Sequence, residues 1–185
     1  MLEHTLNLRP HPADRCSNPV SILVAVGRGS AGQLGLTFRL HGDLGRIAIP
    51  APAAAEFANE LWRHTCFEIF VAVEAAPAYR EFNCSPSGQW ANYSFSDYRQ
   101  RDPSVPVFQP RFVFSRCADF LQLDALLAPE SLPVVTPGRS LLLGLSVVVE
   151  TTEGSHSHWA LAHPGEHPDF HHRDAFTLKL AGSTS

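Results

Sequence analysis

The sequence predicts an all-β fold: one antiparallel β-sandwich of jelly-roll type over residues 1–185, with at most one or two short helices. Three observations carry the prediction. Apolar residues alternate with polar ones over strand-length runs, the period of a half-buried sheet. The runs recur at the short, regular spacing of a sandwich. Fifteen Pro and twelve Gly suit turns and strand edges and break helix interiors.

Taken in order, Ile22, Val24 and Val26 alternate within SILVAVGRG, and Leu34, Leu36, Phe38 and Leu40 alternate around Gly35, Thr37 and Arg39. The glycine-rich stretch from Gly27 to Gly32 joins these two strands as a hairpin. Arg46 to Ile49 forms a short strand stopped by Pro50, and Ala53 to Leu61, rich in Ala, Glu and Leu, makes one or two helical turns. CFEIFVAV, YREFNC, QWANYSF, RFVFSR and DFLQLDALL follow as strands, with Val105 to Pro110 and LAPESLPVVTPGR as Pro-punctuated loops. SLLLGLSVVVE has the unbroken apolar run of a central strand buried on both faces, or on one face and against an oligomeric partner. FTLKL gives the last strand.

At 185 residues, 44% of them hydrophobic and 17% charged, the chain has the size and composition of one ordinary folded domain rather than of a disordered one. A formal net charge of -4 leaves no cation excess to neutralise phosphates, which argues against nucleic acid as a partner. The longest apolar stretch, Leu141 to Val149, is far short of the roughly 20 residues that span a bilayer, so no membrane helix is expected. MLEHTLNLRPHPADR lacks the basic start and apolar run of a secretory signal, which makes the expected location cytoplasmic. Cys16, Cys66, Cys84 and Cys117 are widely spaced and read as buried, reduced thiols. A bridge between Cys66 and Cys84 stays open, conditional on their strands being neighbours.

Side chains two apart on a strand share a face, and this parity sharpens the reading of three strands. Phe67, Ile69, Val71 and Val73 form a core face and leave Glu68 and Phe70 opposite. Phe82 and Cys84 suit the core, so Tyr79, Glu81 and Asn83 face away. Tyr93 and Phe95 also suit the core, which turns Trp90, Asn92 and Ser94 outward. If the three strands are neighbours, one surface collects carboxylates, amides and aromatic rings. A saccharide needs that composition: aromatic rings stack on the apolar faces of the sugar, while carboxylates and amides bond its hydroxyls.

LWRHTCFEIFV, YREFNCSPSGQWANYSFSDY and HWALAHPGEHPDFHHRDAF together resemble the DOMON-like domains allied to the family 9 carbohydrate-binding modules. The resemblance covers most of the chain after about residue 60 and implies a β-sandwich that binds a carbohydrate without transforming it. It makes Trp62 the stacking ring, Glu68 a hydroxyl-binding carboxylate, Arg80 a polar arm on the next strand and Trp159 the second ring of a sandwich around the sugar. Parity places Arg80 with Phe82, so Glu81 and Asn83 are the better physical choices beside it. Such modules are usually exported with an enzyme attached; no signal or second domain is read here. The expected ligand is a carbohydrate or similar polyhydroxyl compound, with no cofactor.

Other readings compete. Six histidines fall between His156 and His172, and imidazole is a common metal ligand, but H-E-x-x-H and CxxC are absent and only His156 and His158 share a strand face at close range. The competing view of this segment is a loop in which His163 and His171 brace the chain by hydrogen bonds. DOMON kinship also admits haem, though Met1 is the only methionine, which disfavours Met/His ligation. Glu68 and Glu81 as a glycosidase pair is weakened by a sheet surface open to water, which would not raise one pKa as an acid catalyst needs. A protein partner on the same aromatic surface is a further alternative.

Overall fold

A computed structural model describes residues 4–14 and 20–181. Its strands in chain order are β1 (His4–Pro10), β2 (Ser21–Arg28), β3 (Leu34–His41), β4 (Cys66–Val73), β5 (Tyr79–Cys84), β6 (Trp90–Asp97), β7 (Gln100–Arg101), β8 (Arg111–Arg116), β9 (Phe120–Leu127), β10 (Leu141–Glu150), β11 (His156–Ala160) and β12 (Leu178–Leu180). They form one continuous hydrogen-bonded ladder in the order β7-β6-β5-β4-β10-β11-β1-β2-β3-β9-β8, with β12 added beside β10. Every pairing of these strands is antiparallel. The all-β class expected from the sequence holds.

Strand β1 turns this ladder into a sandwich. Residues His4 to Leu8 pair with β2, whereas Arg9 and Pro10 pair with Ala160 and Trp159 of β11, so the strand passes from one layer to the other. The layers meet through Phe38 of β3 and Phe67 of β4, whose rings touch edge to face at 5.5 Å, and through Phe67 and Phe114 of β8 at 6.4 Å. Val24, Val26, Leu36, Leu40, Ile69, Val71, Phe82, Leu123, Leu143 and Val147 fill the space between them. Burial of this apolar area, at about 25 cal/mol per Å², is the main force holding the layers together.

The first hairpin follows the glycine expectation: Gly29 donates to the Gln33 carbonyl and Gly32, at φ 85°, closes back on Gly29. Strand β10 is buried along nearly its whole length because β4 and β11 flank it in the ladder and layers cover both faces.

Two expected elements take another form. Ala53 to Leu61 is not helical; Ala53 and Ala58 donate to the carbonyls of Ser87 and Trp90, and Trp90 donates to Glu56. The edge of β6 thus claims the backbone groups that a helix would use internally, and only Leu61–Arg63 forms a 3-10 turn. Arg46 to Ile49 is not a strand either. Asp43 caps a 3-10 turn at Leu44–Arg46, leaving a single bridge from Ile47 to Thr151. Strands β1, β7 and β11 are additional to those expected from the alternation.

Neighbouring strands carry Cys66 and Cys84, but both thiols are free. Phe67 is the register partner of Cys84, so Cys66 projects to the opposite face and no bridge is geometrically accessible. Cys117 is exposed, contrary to a buried thiol, because it lies in the turn between β8 and β9. Cys16 and Met1 lie outside the described residues. No helix among the described residues is long and apolar enough to cross a membrane.

Candidate functional site

The outer face of β4, β5, β6 and β10 is covered by irregular chain rather than by a sheet. Phe70 and Tyr79 on that face pack against Ala175 and Phe176 from the segment after β11, while Leu61 and Cys66 close the other end. Gly144 of β10 is needed here: a Cβ on it would lie 2.6 Å from the Phe176 ring. Between the two covered ends a cavity of about 390 Å³ remains, lined by Trp62, Glu68, Glu81, Tyr93, Phe95, Arg99, Arg101, Val148, His158, Pro168, Phe170 and His171.

Its floor follows from register. Glu68 lies opposite Asn83 on one side and Ser146 on the other, and Glu81 lies opposite Phe70 and Tyr93. Glu68 and Glu81 are 3% and 4% exposed. Asn83 lies beneath them, wholly buried, and its amide donates to Glu81 Oε1 at 2.7 Å. Glu68 Oε1, Asn83 Oδ1 and Ser146 Oγ are buried with no hydrogen-bond partner among the described residues. Contrary to the water-open sheet surface expected for this pair, burial pushes both carboxyls above the usual carboxylate range, and for Glu68 the nearby Glu81 adds to the effect. For Glu81 the Asn83 amide and the guanidinium groups of Arg101 and Arg99 work in the opposite direction.

The walls are held by a chain of hydrogen bonds. Burial raises the Tyr79 phenol to about 12, so it is protonated. The Tyr79 oxygen accepts from the Arg99 backbone N–H at 3.0 Å, which leaves its O–H to donate to His171 Nδ1 at 2.8 Å. Burial, reinforced by Arg99, lowers His171 to about 4. The ring is therefore neutral near pH 7, with its proton on Nε2, 3.7 Å from Glu81 Oε2. Asp169 ties this segment to the turn between β6 and β7: it accepts from the Tyr98 hydroxyl at 2.6 Å, from Arg99 Nη2 at 2.8 Å and from the His171 backbone at 3.1 Å. Arg99 takes a left-handed conformation, φ 55°, in that turn. Arg101 stacks over Tyr93 at 3.9 Å.

Among the residues singled out by sequence, Trp62, Glu68 and Glu81 line the cavity and Asn83 supports its floor. Trp62 projects from the 3-10 turn whose Leu61 is buried, and it is 48% exposed at the rim. Three others lie elsewhere. Trp90 pairs with Cys84, which puts it on the opposite face, largely buried and edge-on to Phe57 at 5.6 Å. The expected parity of β6 is thereby inverted: Tyr93 and Phe95 face the cavity, while Asn92 turns away and accepts from the Phe108 backbone at 2.9 Å. Trp159 is in the sandwich core, its indole donating to Ser157 Oγ at 3.0 Å. Arg80 reaches the Glu130 carbonyl and stacks on Phe108. It borders a different hollow of about 560 Å³, lined largely by Ala, Pro and Val of loops and lacking a buried carboxylate.

The histidine-rich segment divides. His163 donates to the Arg9 carbonyl at 2.8 Å and His156 to the Arg63 carbonyl at 2.9 Å, while His158 and His171 line the cavity. No group of three or more His, Cys, Asp or Glu among the described residues is arranged to hold a metal ion. Sequence reasoning did not select Tyr93, Phe95, Arg99, Arg101, His158 or Phe170. The length of the turn between β5 and β6 was the available signal for the first two.

No family profile matches the chain, and no curated protein matches it. Solved structures do. A protein from Bacteroides uniformis, proposed as carbohydrate-binding, superposes with a TM-score of 0.65 over 95% of this chain and 84% of its own, at 13% identity. A family 9 carbohydrate-binding module from Caldicellulosiruptor kristjanssonii, solved with cellotriose, gives a TM-score of 0.52 over 86% of this chain and 72% of its own, at 9% identity. Its structure with glucose gives the same score and identity, over 86% and 74%. At these identities the likeness is one of fold.

Proposed function

We propose that this chain binds a saccharide, non-catalytically, in the cavity between Trp62 and the Glu68/Glu81 floor. The observation that carries the reading is the pairing of an exposed indole at the rim with two buried carboxylates below it. A sugar ring has apolar faces that stack on aromatics and hydroxyls that donate to carboxylates. The cavity's volume lies at the small end of the roughly 300–1,000 Å³ of ligand sites. Shared architecture with carbohydrate-binding modules supports the same reading at the level of fold, and a DOMON relationship adds nothing the site requires.

Calorimetric titration with glucose and cello-oligosaccharides tests the proposal, using the wild type and Trp62→Ala. Binding by the wild type, weakened about two- to tenfold in the variant with its circular dichroism unchanged, is the expected result, in line with the roughly 0.5–1.5 kcal/mol of an aromatic contact. Equal binding by both proteins removes Trp62 from the site. No binding to any sugar by the wild type overturns the reading and favours a protein partner on this surface.

A further inference from the structure

Charged groups inside proteins are normally paired, because desolvating a charge without a partner is costly. Glu68 and Glu81 have no such partner, and burial accordingly raises both above the usual carboxylate range. Among the described residues no cationic side chain hydrogen-bonds either carboxylate; Glu81 has Asn83, and Glu68 Oε1 has nothing. The guanidinium groups nearby act on Glu81 through space, without a hydrogen bond to either carboxyl. Arg99 is paired with Asp169 at 2.8 Å, Arg101 lies exposed over the Tyr93 ring, and His171 is a neutral ring fixed by Tyr79.

The free hydrogen-bonding capacity of the floor has one sign. Asn83 Oδ1 can only accept, and Glu68, once an incoming cation draws it into its ionised form, can only accept too; Ser146 Oγ can do both. A neutral hydroxyl both donates and accepts, so it matches an acceptor-rich floor only in part. An ammonium carries three donors, a full charge and no acceptor. Aromatic walls add to the match: Phe170 and Trp62 line the cavity and a ring face favours a cation over a neutral group, whereas Phe95 is stacked on Tyr79 and Tyr93 already carries Arg101.

Resting on the saccharide reading, we infer that the group entering this cavity deepest is an ammonium, and that the ligand class is an amino sugar rather than a neutral one. Its charged nitrogen lies against Glu68 and Glu81, its ring stacks toward Trp62, and its remaining hydroxyls point to the mouth, where Arg99 and Arg101 leave no place for the cation.

Glucosamine, glucose and N-acetylglucosamine, titrated in parallel at about pH 7, separate the possibilities, since a sugar amine with a pKa near 8 is mostly protonated there. Glucosamine is expected to bind at least about tenfold tighter than glucose, the scale of a charge-assisted hydrogen bond in a desolvated site, and N-acetylation, which removes the charge and keeps the ring, is expected to abolish the gain. In Glu68→Gln the glucosamine-to-glucose ratio should fall toward one; should that variant fail to fold, the wild-type comparison decides alone. Glucose and glucosamine binding alike overturns the inference and leaves the saccharide reading standing. If none of the three sugars binds, both fall.

Discussion

On one face of β4 and β5, Phe67, Ile69, Val71, Phe82 and Cys84 are fully buried against the opposite layer; on the other, alternate positions of the same backbone present Glu68, Phe70, Glu81 and Asn83. The first face is stabilised by area removed from water and tolerates no gap. The second buries carboxyl groups against their preference and is closed by loops instead of a sheet. The contrast teaches how a site of this kind is positioned. Apolar packing on one side fixes the register, because a one-residue slip would expose the whole apolar set. The register then delivers the polar residues of the other side to defined places at no further structural requirement.

Substitutions on the two faces should therefore fail differently. The largest effect is expected from Phe67→Ala, which removes a wholly buried ring touching Phe38 and Phe114; a loss of about 3–5 kcal/mol in chemical denaturation is anticipated. Gly144→Ala drives a methyl into Phe176 and should cost about 1–3 kcal/mol, while also loosening the segment that closes the cavity, visible as faster amide exchange around His171. Unchanged stability would show that this segment does not pack against β10 as described. Tyr79→Phe deletes the hydroxyl shared by Arg99 and His171; about 1 kcal/mol is expected.

A pH experiment distinguishes the faces without touching the core. Glu68 and Glu81 have folded-state pKa values above those of the unfolded chain. The native state consequently holds more protons in the interval between the ordinary glutamate value of about 4.3 and the raised ones. Stability from these groups is thus greatest at the acid end of that window and declines as pH rises through it. Glu68→Gln should flatten this decline, and an unaltered slope would argue that Glu68 is not desolvated. The smallest stability effect is expected from Trp62→Ala, within about 0.5 kcal/mol, because the indole is half-exposed and rests only on Arg63 among the contacts described.

How much of this could be read beforehand depended on whether a local pattern was sufficient. Alternation placed the strands and assigned β4 and β5 to their faces, since Phe67-Ile69-Val71 and Phe82-Cys84 are unambiguous. In β6 the pattern was ambiguous: Trp90, Tyr93 and Phe95 are all aromatic, and only the turn decides. Ser85 closes that turn on Gly88, at φ 95°, and pairs again with Gln89, which sets Cys84 opposite Trp90. One residue fewer in the loop would have given the opposite parity. Trp159 was misplaced for a related reason, because its face depends on pairing with Val147, far away in sequence. The cavity walls from Pro168, Phe170 and His171 belong to irregular chain, whose position follows from the Asp169 contacts rather than from any periodicity.

The three tryptophans make the central claim directly measurable. Trp62 is at the cavity rim, whereas Trp90 and Trp159 are buried on the other side of the sheet. In a titration with glucosamine or a cello-oligosaccharide followed by the indole N–H resonances, the Trp62 signal should move progressively to saturation while the other two stay in place. A ligand that shifts Trp90 or Trp159 and leaves Trp62 untouched would contradict the assignment of the binding site to this face.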